Sequence, residues 1–341
     1  MNFSTTRVNS SELNEGNYIS TENMLQDYQG IVDAKSVPED VNVISFYCGD
    51  ILISNIRPYL KKVWKATYNG GCSSDVFVLK ANDNIESDYL HYVIANDKFI
   101  NFVMSGAKGV KMPRGDKNQM KTYSLSLPQI QEQKKIGKML SLLDERIATQ
   151  NKIIEKMQTL IKGIRHNIFK DIQGEVLALG NIADVYQPQT ISSSDLTTDG
   201  YWVYGANGII GKYKEYNHET EQICITCRGN TCGTVNYTQP KVWITGNSMV
   251  INTDKHQQQV NKRYLFHYLS SYNFNSIVSG SGQPQIVRTP LEKIKVTLPS
   301  IEKQVQIAHG IDLILTKIET ECTVLGFLES QKQYLLRQMF I

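Results

Sequence analysis

From Ile136 onward one series of residues recurs at steps alternating four and three: Ile136, Leu140, Leu143, Ile147, Gln150, Ile154, Met157, Ile161, Ile164 and Ile168. A generic amphipathic helix follows a period of about 3.6, whereas an unbroken period of about 3.5 is the pattern of a coiled-coil seam. The series returns at Ile307, Ile311, Ile314, Ile318, Glu321, Leu325, Leu328, Lys332, Leu335 and Met339. Gln150, Glu321 and Lys332 are its polar breaks. A helix of about 45 residues reaches roughly 65 Å at 1.5 Å per residue, more than a small domain can cover. Two such stripes are most simply buried against each other, which predicts paired helices acting as a spacer between globular parts. Two helices packed separately on their own domains is the alternative.

The helices belong to a larger repeat. "LSLPQIQEQKKI", Leu125 to Ile136, reappears 171 positions later as "VTLPSIEKQVQI", Val296 to Ile307, and the register holds without a gap to Phe169 and Phe340. Each copy opens on a strand-like stretch ending in proline, Pro128 or Pro299. Proline suits a first helical turn, where its missing N–H would be unpaired anyway. Upstream, "GDILISNIRPYLKKV" and "EQICITCRGNTCGTV" share hydrophobic alternation. "DYLHYVIANDKFINFVMSGAKG" and "RYLFHYLSSYNFNSIVSGSGQ" both read as a short helix running into a Gly/Ser loop. The expected plan is therefore α+β with an internal twofold repeat: a strand-rich domain over 1–128, a long helix over 129–173, a second strand-rich domain over 174–298 and a second long helix over 299–341. Two places resist the alignment. The first globular part begins about ten residues later than the second, leaving a stretch such as Leu179–Val185 without an equivalent, and Asp144 falls opposite Leu315, with Asp312 three positions earlier.

Composition changes this picture little, since 41% hydrophobic and 20% charged residues over 341 positions are ordinary for a folded protein with two or three domains. No apolar run approaches the roughly eighteen residues of a membrane span, and the polar start "MNFSTTRVNSSELNEG" lacks an apolar signal core, so the expected location is the cytoplasm. Cys224, Cys227 and Cys232 begin like half a zinc site, but no second ligand pair follows at suitable spacing, which points to reduced thiols and no metal. The net charge of +3 divides along the four segments as −1, +4, +1 and −1. No domain is basic overall, so any contact with nucleic acid must come from local patches.

Such patches lie where the copies diverge. "GAKGVKMPRGDKNQMK" carries Lys108, Lys111, Arg114, Lys117 and Lys121, and its counterpart "SGSGQPQIVRTP" offers Ser279, Ser281, Gln283, Gln285 and Arg288. Glycine lets backbone approach another surface; Lys and Arg suit phosphates or guanine edges, and Gln can pair bidentately with adenine. "NIRPYLKKVWK" adds Arg57, Tyr59, Lys61, Lys62 and Lys65 as a basic strip with interleaved aromatics, and Arg228 follows the matching strand of the second copy. Solvated charged loops have the same composition, and it is the similar placement in both copies that favours a binding role. Catalytic signatures are missing. "GANGIIGKY" has Ala206 and Tyr213 where a phosphate loop needs Gly and Ser/Thr, no Gly-x-Ser-x-Gly or His-Glu-x-x-His occurs, and six histidines fall without ligand spacing.

At "LSLPQIQEQKKIGKMLSLLDERI", "GSGQPQIVRTPLEKIKVTLPSIEKQVQIAHGID" and "GDILISNIRPYL" the chain resembles the specificity subunits of type I restriction–modification systems, over almost its whole length. The resemblance implies two target-recognition domains alternating with two helices paired as an antiparallel coiled coil. It implies that each domain reads half of a split double-stranded DNA sequence, and that the chain itself is not catalytic. Two methyltransferase subunits using S-adenosylmethionine would dock on the helices and methylate adenine. Motor-nuclease subunits using ATP and Mg would join for cleavage, so the cofactors belong to partners. Ile136, Leu140, Leu143, Ile147, Ile154, Met157 and Ile161, with Ile307, Ile311, Ile314, Ile318, Leu325, Leu328 and Leu335, are the candidate coiled-coil and partner residues. A coiled-coil adaptor whose domains bind proteins is the competing reading, motivated by the low domain charge; a self-contained DNA-modifying enzyme is a third.

Overall fold

The computed structural model describes residues 2–125, 127–206, 208–280 and 282–340. The chain forms two compact units, one of residues 1–151 with 323–341 and one of residues 152–322. In order, its elements are β1 (Asn2–Phe3), β2 (Arg7–Asn9), β3 (Tyr18–Ile19), β4 (Asn42–Phe46), β5 (Ile51–Ser54), β6 (Val63–Lys65), β7 (Gly70–Cys72), β8 (Val76–Lys80), α1 (Ser87–Ile94), α2 (Asp97–Ser105), α3 (Lys117–Lys121) and the long helix α4 (Ile130–Asp171). There follow β9 (Glu175–Ala178), β10 (Asp184–Tyr186), β11 (Tyr201–Gly205), β12 (Gly208–Tyr213), β13 (Ile223–Thr226), β14 (Val235–Tyr237), β15 (Trp243–Ile244), β16 (Ser248–Asn252), α5 (Lys262–Ser271), α6 (Arg288–Glu292), β17 (Lys295–Leu298) and the second long helix α7 (Ile301–Met339). The first unit takes the start of α4 and the end of α7, the second the end of α4 and the start of α7. Within each unit the start of one long helix thus packs beside the end of the other, and the pair is antiparallel.

The seam lies where the sequence puts it. Every residue of both heptad series is buried or half-buried, Gln150 included. Lys332, a break in the pattern, is neutralised from across the seam by Asp144 at 2.6 Å. In the first unit Leu140 shares a core with Leu336 and Phe340; in the second, Ile161 shares one with Ile307, Ile311 and Ile318.

Each strand-rich domain lays a four-stranded sheet on this pair, in the orders β1-β8-β5-β6 and β10-β16-β13-β14. A further sheet, β2-β4-β7-β3 or β12-β11-β15, covers the other face. In β5, Ile51 and Ile53 join the core with α1 and the long helices while Leu52 joins Phe46, Cys72 and Val78 on the far side. In β13, Ile223 and Ile225 divide from Cys224 in the same way. The alternation expected here is consequently replaced by a continuous apolar run, because both faces of the strand are covered.

Polar fasteners join domain to helix at equivalent places. Gln133 accepts the Glu86 N–H at 2.9 Å and donates to the carbonyls of Asn84 and Pro128; Gln304, 171 positions on, accepts the Asn261 N–H at 2.8 Å and donates to those of Gln259 and Pro299. Tyr89 packs on Phe340 with ring centroids 5.2 Å apart, and Tyr264 on Phe169 at 5.5 Å. Asp144 accepts the Tyr92 hydroxyl at 2.8 Å. Asp312 accepts Nε2–H of His267 at 2.9 Å and pairs with Arg263, while Arg165 donates to His267 Nδ1 at 3.0 Å. The misaligned aspartates thus do one job: each is the carboxylate that ties its domain's helix to the long helix after it, one turn apart.

Two expectations change. The first-copy stretch around Leu125–Pro128 is not a strand among its described residues, and Leu127 is 42% exposed where Leu298 is 5%. Its counterpart is the strand β17, which pairs with β9, and among the described residues the first unit has no equivalent of β9. Second, β1 pairs with β8 in the register in which β10 pairs with β16, setting Phe3 opposite Leu79 as Val185 is opposite Ile251. The segment without an equivalent therefore ends before Asp184 rather than at Val185. Among the described residues no helix is long and apolar enough to cross a membrane.

Burial, followed by the nearby Arg165, pushes His267 down from 6.5 to about 4. The folded state keeps this imidazole neutral while the unfolded state takes a proton below about pH 6.5, so its contribution is complete above that pH and is lost as pH falls towards 4. Asp312, whose pKa is lowered despite burial by its partners, has a folded value below the ordinary 3.8 and loses its contribution only at still lower pH. Removing the titration by His267→Gln is expected to reduce the slope of unfolding free energy against pH between 4 and 6.5 by up to about 1.4 kcal/mol per pH unit, read by urea denaturation across that range. Gln304→Ala, which removes a buried side chain and leaves a part-buried N–H and two carbonyls without it, is expected to cost about 2–3 kcal/mol, against less than about 0.5 kcal/mol for exposed Gln306→Ala in the same assay.

Candidate nucleic-acid interface

The two divergent loops have one backbone. After α2, Lys108 and Arg114 exchange N–H···O bonds of 3.0 and 2.9 Å, the Arg57 N–H reaches the Pro113 carbonyl at 2.8 Å, and the Gly115 N–H reaches Asn55 at 3.0 Å. In the second domain Ser279 and Gln285 exchange bonds of 2.9 and 2.8 Å, Gly229 reaches Pro284 at 3.0 Å, and Ile286 reaches Cys227 at 3.0 Å. Gly109 and Gly280 take the same left-handed turn, with φ of 95° and 92°, which a side chain would strain. Each loop is thereby pinned to the end of the central strand β5 or β13 by the same backbone bonds, and the side chains differ: Arg114 stands where Gln285 does, Met112 where Gln283 does, and Lys117 where Arg288 does. Ser281 lies outside the described residues.

The candidate cations divide by what they touch. Lys108 pairs with Asp116 at 3.1 Å, Arg114 with Asp75 at 2.7 Å and Arg288 with Glu292 at 2.7 Å, all through largely exposed basic side chains. Such exposed pairs are worth about 0–1 kcal/mol. Lys108 and the N–H groups opening α3 draw the Asp116 carboxyl below its ordinary value. Lys117 sits 4.7 Å from the centre of the Phe3 ring. The proposed strip at 57–65 shrinks, because Lys61 pairs with Asp97 at 2.8 Å, Lys62 donates to the Thr21 carbonyl at 2.6 Å, and Lys65 pairs with Asp88. That leaves Arg57 and 47%-exposed Tyr59 facing solvent, with Lys111 from the neighbouring loop; in the second domain Arg228, bridged through its backbone to Gln285, is exposed alongside Gln283 and Gln285. Arg57, Lys111 and Arg228 have no ion pair among the described residues.

The family model of the Type I restriction modification DNA specificity domain matches residues 4–159 and again residues 173–326. The chain belongs to this family. Each match takes in one strand-rich domain and much of the long helix after it, so the specificity domain occurs here twice. A curated relative, the type I restriction enzyme EcoprrI specificity subunit of Escherichia coli, is 30% identical over 147 residues, 42% of this chain and 36% of that protein. The putative type I restriction enzyme MjaX specificity subunit of Methanocaldococcus jannaschii is 28% identical over 323 residues, 82% of this chain and 75% of that one. The crystal structure of the type I restriction–modification S subunit from M. genitalium shares the fold, with a TM-score of 0.65 at 18% identity over 100% of this chain and 96% of that one.

Sequence reasoning missed Asp75, which holds Arg114, and the paired glutamines Gln133 and Gln304. The glutamines were findable, being the same residue at the same register of the repeat; Asp75 is brought to Arg114 by the fold alone. Of "GANGIIGKY", Gly205 ends β11 and Gly208–Tyr213 form β12, which pairs antiparallel with it, and Asn207 lies outside the described residues; the element after β12 is the strand β13, where a phosphate loop leads into a helix. Among the described residues no group of three or more His, Cys, Asp or Glu is placed to hold a metal ion. Burial pushes the Cys224 thiol up to about 12. A thiol reagent is expected to label exposed Cys48 and Cys322 in the folded chain, and buried Cys72, Cys224 and Cys227 only after unfolding; mass spectrometry of labelled peptides checks this.

Proposed function

We propose that this chain is the DNA-recognition subunit of a type I restriction–modification assembly. Each specificity domain reads one half of a split double-stranded target, and the helix pair carries the methyltransferase subunits. The observation that supports this reading most is the loop built twice on one backbone with two sets of side chains. A repeated scaffold with divergent readers suits two different half-sequences, as phosphate contacts position a protein and base contacts specify. This chain's own residues bind and orient DNA. S-adenosylmethionine for adenine methylation, and ATP and Mg for cleavage, are taken up by the methyltransferase and motor-nuclease partners, and the assembly works in the cytoplasm.

The seam residues are spent on each other, so docking falls to the outward faces. In the first unit Leu142, Phe327 and Tyr334 are 54%, 71% and 63% exposed; in the second, Leu160 and Leu313 are 57% and 58% exposed. Phe327 and Tyr334 lie seven residues apart, two turns along one face of α7.

Genome-wide adenine methylation in cells carrying this chain with its methyltransferase, compared with cells lacking it, tests the reading. One split motif, methylated only when the chain is present, is the expected result. An assembled complex that leaves methylation unchanged would return the chain to the adaptor reading. Phe327→Asp, at an exposed site, is expected to leave unfolding unchanged within about 0.5 kcal/mol and to weaken assembly with the methyltransferase, measured by co-purification.

A further inference from the structure

Arg114 and Gln285 do not stand alone on their twin loops. The residue behind Arg114 is Asp75, whose carbonyl accepts the Asn55 N–H at 2.8 Å as the first domain's central strand ends. At the same point of the second domain the Asn247 carbonyl accepts the Cys227 N–H at 3.0 Å. Position 75 is thus the structural equivalent of position 247, as 114 is of 285, and both members change together: an ion pair in the first domain, two neutral amides in the second.

The chemistry of the two pairs differs in the way two base edges differ. Arg114 gives one N–H to Asp75, at 2.7 Å, and retains four others in the fixed plane of its guanidinium. In the major groove guanine presents two acceptors, N7 and O6, which call for two parallel donors. The carboxylate behind the fork fixes its plane beforehand, so less side-chain freedom is lost on contact. Gln285 presents one donor and one acceptor, which match N7 and the N6 amino group of adenine. Asn247, being neutral, leaves no charge behind it to hold an arginine.

Resting on the reading of the chain as a DNA-recognition subunit, we propose that Arg114 backed by Asp75 reads a guanine in one half of the split target, and that Gln285, with Asn247 at the position equivalent to Asp75, reads an adenine at the corresponding place in the other. Asp75 is a positioning residue that acts through Arg114.

The test is adenine-methylation mapping in cells holding the full complex with the wild-type chain, with Arg114→Gln plus Asp75→Asn, or with Gln285→Arg plus Asn247→Asp. Each double variant is expected to alter one base of one half of the methylated motif, guanine to adenine for the first and adenine to guanine for the second, with the other half untouched. Asp75→Asn alone is expected to keep guanine as the favoured base while lowering its advantage over the other three several-fold, which loss of folding would not do. Fully methylated, unchanged motifs in both double variants would overturn the assignment while leaving the DNA-recognition reading intact. A wild-type complex that methylates no split motif would overturn that reading, and the assignment with it. Where a variant methylates nothing in cells, binding of the purified complex to duplexes altered one base at a time in that half gives the readout: a preference moved roughly tenfold or more to the new base supports the proposal, and the wild-type preference overturns it.

Discussion

Two apolar stripes repeating every three and four residues leave water most simply against each other, and the rest of this fold is arranged around that pairing. Ile136 to Ile168 and Ile307 to Met339 bury each other in antiparallel sense, and each unit closes its domain onto the result. A buried Leu or Ile contributes about 1.5–3 kcal/mol, so a seam of this length outweighs every surface ion pair in the molecule. The polar groups that enter it are matched. Lys332 meets Asp144, and Gln133 and Gln304 satisfy the N–H groups that start or precede α1 and α5. An unmatched charge there would cost several kcal/mol, and at the break Lys332 that charge is met by Asp144.

That division of energy leaves the two divergent loops free to vary. The loops at 108–114 and 279–285 are fixed by four backbone hydrogen bonds each, contacts blind to side-chain identity. Their exposed pairs, Lys108–Asp116, Arg114–Asp75 and Arg288–Glu292, add little to stability. Side chains there can change without disturbing the sheets beneath. The two strand-rich domains of this chain are near-neutral, and their exposed cations are few, set on a rigid frame and partly held by carboxylates.

The sequence by itself determined the duplication, both long helices and their seam, because an unbroken period of about 3.5 is the pattern of a coiled-coil seam and a gapless repeat of 171 positions implies one architecture used twice. It also placed the divergent loops, whose Gly109 and Gly280 mark the same turn. Tertiary structure alone decided the rest. Leu125, Leu127 and Pro128 form no strand in the first copy, whereas in the second β17 pairs with β9 and is a strand through that pairing. The basic strip at 57–65 lost three of its lysines to Asp97, Asp88 and the Thr21 carbonyl, partners remote in the chain. Asp144 and Asp312 looked mismatched because alignment compares positions, while their role is set by which helix face a tyrosine or histidine reaches. Periodicity is local and survives in the sequence; the pairing of charges and strand edges depends on contacts that only the folded chain creates.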